Sequence, residues 1–165
     1  MTTCPAGGER PLTSGEVALV QSVFGTAIDC DRVMIRRRRW FPFQPRSVTM
    51  APRGHIHFHP RSDSYCADFS TVALSLQGHF IHEMVHVWQV QQRGAWFLVL
   101  RRPFSRRYDY SLRPGWTLSR YGIEQQAEIV RHFFLISRGL TIAGAASLES
   151  YQAILPFQSS RSMKL

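Results

Sequence analysis

Apolar positions along this chain follow two periods, and the changes of period mark its elements. Between residues 13 and 24, Val17, Val20, Val23 and Phe24 fall on one face of a helical repeat. Thr13 and Glu16 have capping-box spacing, Leu12 and Val17 sit at the staple positions, and Gly25 stands where the helix should stop. The pattern then turns to alternation. Val33 and Ile35 predict a strand over 32–39 that runs into Arg36, Arg37, Arg38 and Arg39. Two further strands are predicted over 47–51 and 55–59, around the turn-like Pro52-Arg53-Gly54.

Ser70 or Thr71 can cap a long helix that continues to about residue 93, with Gly94 just past its end. A short apolar run covers 96–100, and the Arg-, Pro- and Tyr-rich stretch 101–115 predicts irregular backbone. A second strong helix spans 121–138 with Gly139 at its C′ position. A short helix over 148–155 stops at Pro156. Helix, small sheet and then helices place the chain in the α+β class. Its 165 residues suit one domain over 1–165.

Composition narrows the picture. At 44% apolar residues the chain can bury a core and is not a disordered segment. No apolar run reaches membrane-spanning length and no secretory leader is visible, so cytoplasmic residence, or signal-independent secretion, is the expectation. Cys4, Cys30 and Cys66 are odd in number and widely spaced, which argues for reduced thiols rather than a disulfide framework. Net charge is +9, carried almost wholly by arginine, because Lys164 is the only lysine. The charge reflects either an Arg-rich composition alone or an anionic partner, such as nucleic acid or an acidic protein. Arg36, Arg37, Arg38 and Arg39 are followed by aromatic residues and form the candidate anion-binding segment. The stretch 101–107 repeats the theme.

Candidate chemistry lies inside the long helix, in His82-Glu83-Met84-Val85-His86. Residues four apart share a helix face, so His82 and His86 can bind one Zn²⁺. Glu83 is angled to reach a water held by the metal and to act as its general base. A third protein ligand is required, and Gln89 and Gln92 stand where a metzincin would continue with Gly and His. Downstream acids are few: Asp109, Glu124, Glu128 and Glu149. Glu124 and Glu128 are again four apart, among Ile123, Ala127, Val130, Phe133 and Phe134. One can ligate the metal while the other accepts the free N–H of a ligand histidine. Tyr121, one turn before Glu124, is the first candidate to stabilise an oxyanion, with Tyr108 and His132 as alternatives.

With these residues assembled, the chain resembles the gluzincin-type metallopeptidases, in which an HExxH helix is followed by an E-x-x-A-D/E helix. Residues 80–92 and 121–134 carry the likeness, and the whole chain also resembles small bacterial Vgr-related proteins. The resemblance implies a zincin-like fold, with a small antiparallel sheet and an active-site helix packed on a second ligand-bearing helix. It implies His82, His86 and Glu124 as ligands, Glu83 as base and Glu128 as the residue that orients a histidine. Many relatives have Asp where this chain has Glu128. In zincins the strand before the active-site helix pairs with an extended substrate, a place taken here by His55, His57 and His59. Their alternation points all three one way, as a cleft or solvent face or as a second metal site. The expected function is therefore zinc-dependent hydrolysis of a peptide or related amide bond. The alternative is a non-catalytic, zinc-stabilised module that engages nucleic acid or a secretion component through its arginines.

Overall fold

Thr13 caps α1 (Ser14–Phe24) as the capping-box spacing requires. Its hydroxyl accepts from the Glu16 N–H, while the Glu16 carboxylate accepts from the Thr13 N–H. The computed structural model describes residues 4–101 and 107–157, so most of the second Arg-rich stretch lies outside the described residues. Glu16 also makes a two-pronged pair with Arg10 of β1 (Glu9–Pro11), both contacts at 2.8 Å, and accepts from the Phe69 N–H. Both side chains are buried. A buried ion pair is tolerable because its atoms find partners, and this one ties β1, α1 and the approach to the long helix together.

The sheet holds β1, β2 (Met34–Arg36) and β3 (Ile56–His57) in that order. β1 and β2 are antiparallel, with Arg10 opposite Ile35, but β2 and β3 are parallel, with Ile35 opposite Ile56. The sheet is thus mixed, which corrects the antiparallel expectation. The connection 37–55 is long enough to cross over and re-enter in the same direction, as parallel pairing demands. The predicted strand over 47–51 shrinks to one antiparallel bridge, Met50 with His57. Pro45 and Pro52 flank that segment and supply no N–H for a longer ladder.

α2 covers Leu74–Arg93 and ends at Gly94, whose φ is 95°. It starts later than Ser70 or Thr71 because Phe69–Thr71 forms a 3-10 turn, in which the Asp68 carboxylate accepts from Ser70 N–H and Oγ–H. The apolar run forms the short α3 (Phe97–Arg101). α4 (Ile123–Ser137) lies along α2, and α5 (Leu148–Ile154) packs on α4. Ala127 is fully buried at the α2–α4 contact. Gly78 matters there too: a Cβ at that position would meet Leu135 Cδ2 at 2.9 Å. Phe58, Phe69 and Phe80 stack in succession and join sheet and α2 in one core. The architecture is α+β, a three-stranded mixed sheet with five helices among the described residues. No helix among them is long and apolar enough to cross a membrane. All three cysteines are free thiols.

Candidate metal centre

α2 presents His82 and His86 to α4, and α4 answers with Glu124 from its first turn. Glu124 Oε2 lies 3.3 Å from His82 Nε2 and 3.1 Å from His86 Nε2. Two donors about 2.0–2.1 Å from a tetrahedral ion would be about 3.3–3.4 Å apart. The donor atoms of this triad all lie within 4.8 Å of one another, and all three residues are buried. The donor set of two imidazoles and one carboxylate is one that zinc accepts, with room for a fourth ligand.

The outer nitrogens of the imidazoles are held as well. His82 Nδ1 lies 2.8 Å from Glu128 Oε1, and His86 Nδ1 lies 3.0 Å from Gln89 Oε1. Each acceptor holds the proton on Nδ1, so Nε2, the nitrogen that faces Glu124, is the one that could ligate a metal. Glu128 is itself steadied by Arg131 at 3.2 Å. Gln89 donates to Ile123 O and to Gln126 Oε1, so α4 grips the residue that orients His86.

Electrostatics favour a cation here. Burial works against charge on His82, yet hydrogen bonds to Glu124 and Glu128, with the charge of Glu83, lift it to about 9. Burial likewise opposes charge on Glu124, but hydrogen bonds from His82 and His86 outweigh it and hold the carboxyl below the usual carboxylate range. Glu128 is held at about 2, again against burial, by its bond to His82 and by Arg131. The carboxylates that favour a proton on His82 equally favour a positive ion between its Nε2 and Glu124.

Glu83 lies beside the triad in a cavity of about 410 Å³, with Ser47, Val48, Thr49, Tyr108 and Arg131 among its walls. It is 3% exposed, and its Oε2 has no hydrogen-bond partner among the described residues. A buried carboxylate oxygen left unpaired is costly and calls for a ligand or water in the cavity. His79, one turn earlier on α2, reaches Thr49 Oγ1 at 2.9 Å and ties segment 47–50 to the cavity.

Several expected site residues lie elsewhere. Tyr121 is buried, and its hydroxyl accepts from Arg113 N–H at 2.8 Å and donates to Ser111 O. It does not line the cavity. The reason is local: Tyr121 precedes α4 in extended backbone, and helical phase does not link it to Glu124. Tyr108 does line the cavity, with its ring 6.3 Å from that of His82. His132 lies behind Glu128, at 3.5 Å, and bonds Tyr110.

The three strand histidines do not form an exposed face. His57 and His59 are buried and His55 is half-buried, because core covers one side of β3 while Trp40 and the arginine segment cover the other. The outward backbone groups of His57 are taken by Met50, so β3 is not a free edge; segment 47–49 lies along the cavity instead. The arginine run is divided. Arg36 and Arg38 both bind Glu9, Arg37 lies over Tyr65 and donates to Cys4 O, and Arg39 donates to His59 Nε2. The orienting role of Gln89 and the link through His79 escaped sequence reading, although each residue stands one helical turn from a site residue, His86 and Glu83 respectively.

No family model matches the chain. It is 42% identical over 132 residues to the type VI secretion system spike protein VgrG2b of Pseudomonas aeruginosa. That match takes in 76% of this chain but spans only 13% of the spike protein's length. The solved effector domain of Pseudomonas aeruginosa VgrG2b is 37% identical and similar in structure, with a TM-score of 0.71. The likeness covers 94% of this chain and 89% of that domain.

Proposed function

Because the chain belongs to the family of the VgrG2b effector domain, we propose that it is a zincin-like, zinc-dependent hydrolase of peptide or related amide bonds. Its work is then done where type VI secretion machinery delivers it, which is the signal-independent secretion expected from sequence beside cytoplasmic residence. The observation that carries this reading is Glu83. A structural zinc site closes on protein ligands and has no use for a buried carboxylate with an unpaired oxygen beside three donors.

His82, His86 and Glu124 would hold the ion, with Glu128 and Gln89 fixing the imidazoles. When bound, zinc supplies a Lewis acid that polarises a carbonyl and acidifies water. Glu83 Oε2 takes a proton from the attacking water and returns it to the leaving amine nitrogen. Tyr108 is the phenol assigned to the carbonyl oxygen, in place of Tyr121. The exchange between Met50 and His57 turns the backbone groups of Thr49 to the opposite side, where an extended peptide can pair with them.

A second reading, a non-catalytic zinc-held module that binds a secretion component or nucleic acid, draws on the secretion-system relative and on the arginines. Metal analysis with a peptide-library screen, with and without a chelator, separates the two. Hydrolysis that the chelator abolishes and zinc restores is the expected result. A zinc-loaded chain that cleaves nothing, yet binds nucleic acid with a salt dependence that Ala at Arg36, Arg37, Arg38 and Arg39 removes, points to the second reading.

A further inference from the structure

A second cavity, of about 640 Å³, opens beside the candidate metal centre and shares Glu124, Tyr108 and Val48 with it. Its remaining walls among the described residues are apolar, with Trp40 and Met50 from the segment after β2, and Leu98 and Val99 from α3. We propose that this cavity receives a bulky apolar side chain of the substrate, next to the bond that is cut. The proposal rests on the hydrolase reading and adds the class of substrate to it.

Three observations carry it. The first is continuity. Glu124 forms part of both walls, so a side chain seated in the apolar cavity belongs to a residue adjoining the reacting carbonyl. Val48 likewise borders both cavities, and it lies on the segment that offers pairing to an extended peptide. The second is size, which lies within the ~300–1,000 Å³ range of ligand sites. A Gly or Ala side chain would leave most of it empty, whereas Leu, Met, Phe or Trp would displace water from apolar walls. The third is charge. Among the described residues the one ionised group in the wall is Glu124, already committed to His82 and His86. An acidic side chain would be repelled, and a basic one would lose its water without a fresh counter-charge. The half-exposed Phe41 at the same cavity extends the apolar surface outward.

The test uses peptide hydroxamates, which chelate zinc through the hydroxamate group and carry a chosen side chain beside it. Calorimetry on the zinc-loaded chain compares the Phe or Leu hydroxamate with the Gly and Asp ones. Burial of a large apolar side chain predicts roughly ten- to a hundredfold tighter binding for Phe or Leu. Val99→Trp, which fills the cavity, should erase that preference. Met50→Ala, which enlarges it, should keep the preference and extend it to the Trp hydroxamate. Both positions are half-buried, and the two variants push in opposite directions. Equal affinity for Gly and Phe hydroxamates on a zinc-loaded chain overturns the apolar pocket and leaves the metal reading standing. A chain that takes up no zinc overturns the metal reading, and the proposal falls with it.

Discussion

His86 Nδ1 lies 3.0 Å from Gln89 Oε1, one helical turn further along α2. The same Gln89 amide donates to Ile123 O and Gln126 Oε1 on α4. The orientation of one imidazole is therefore set by the neighbouring helix, just as Glu128 of α4 sets the other.

This relationship ranks three variants in zinc affinity. Glu124→Ala removes a donor and should abolish tight binding. Gln89→Leu and Glu128→Ala remove only the orienting bonds and should each cost on the order of 10–100-fold. Competition against a calibrated zinc chelator measures all three. If Glu128→Ala lost the metal while Glu124→Ala kept it, the roles would have to be exchanged.

Glu83→Gln keeps the shape of the side chain and removes its basicity. It should bind zinc as the parent chain does and lower hydrolysis by about 10²–10⁴-fold, the usual worth of a general base. Turnover equal to the parent's would remove Glu83 from the mechanism.

Glu16→Ala should be among the most damaging changes far from the site. It leaves Arg10 charged, buried and without its partner, and it strips an acceptor from the N–H groups of Thr13 and Phe69. Breaking such a pair costs about 3–5 kcal/mol. Urea unfolding reads the loss, and the double change Arg10→Met with Glu16→Leu should recover part of it, because no charge is then left alone.

His57 makes stability depend on pH. Burial, together with the nearby charges of Arg36, His55 and Arg38, holds it at about 4, against 6.5 in an unfolded chain. Below pH 6.5 the unfolded chain gains a proton that the folded chain refuses. The contribution of neutral His57 is thus complete above pH 6.5 and is lost as pH falls toward 4. By pH 5 the loss should be on the order of 2 kcal/mol. His57→Gln should lose less stability than the parent between pH 7.5 and pH 5, and urea midpoints at the two values would show it. Equal losses would mean that His57 does not titrate as its surroundings require.

Local periodicity made much of this molecule legible in advance. The cap of α1 at Thr13 and Glu16, the stop at Gly94 and the shared faces of His82 with His86 and of Glu124 with Glu128 all depend on backbone geometry within one or two turns. That geometry is the same wherever the helix is placed, so spacing alone reveals it.

What a side chain meets across the fold was settled only by packing. Tyr121 falls just outside α4 and turns to Arg113, the arginines meet Glu9, Tyr65 and His59, and His57 is covered on both sides. The parallel entry of β3 and the small volume at Gly78, which lets Leu135 come close, are likewise invisible to a periodic pattern. Spacing determined that two histidines and two glutamates would each share a face. Only the close approach of α2 and α4 determined that Glu124 meets both Nε2 atoms while Glu128 and Gln89 take the Nδ1 atoms, because contacts between distant segments depend on how helices pack and not on their periods.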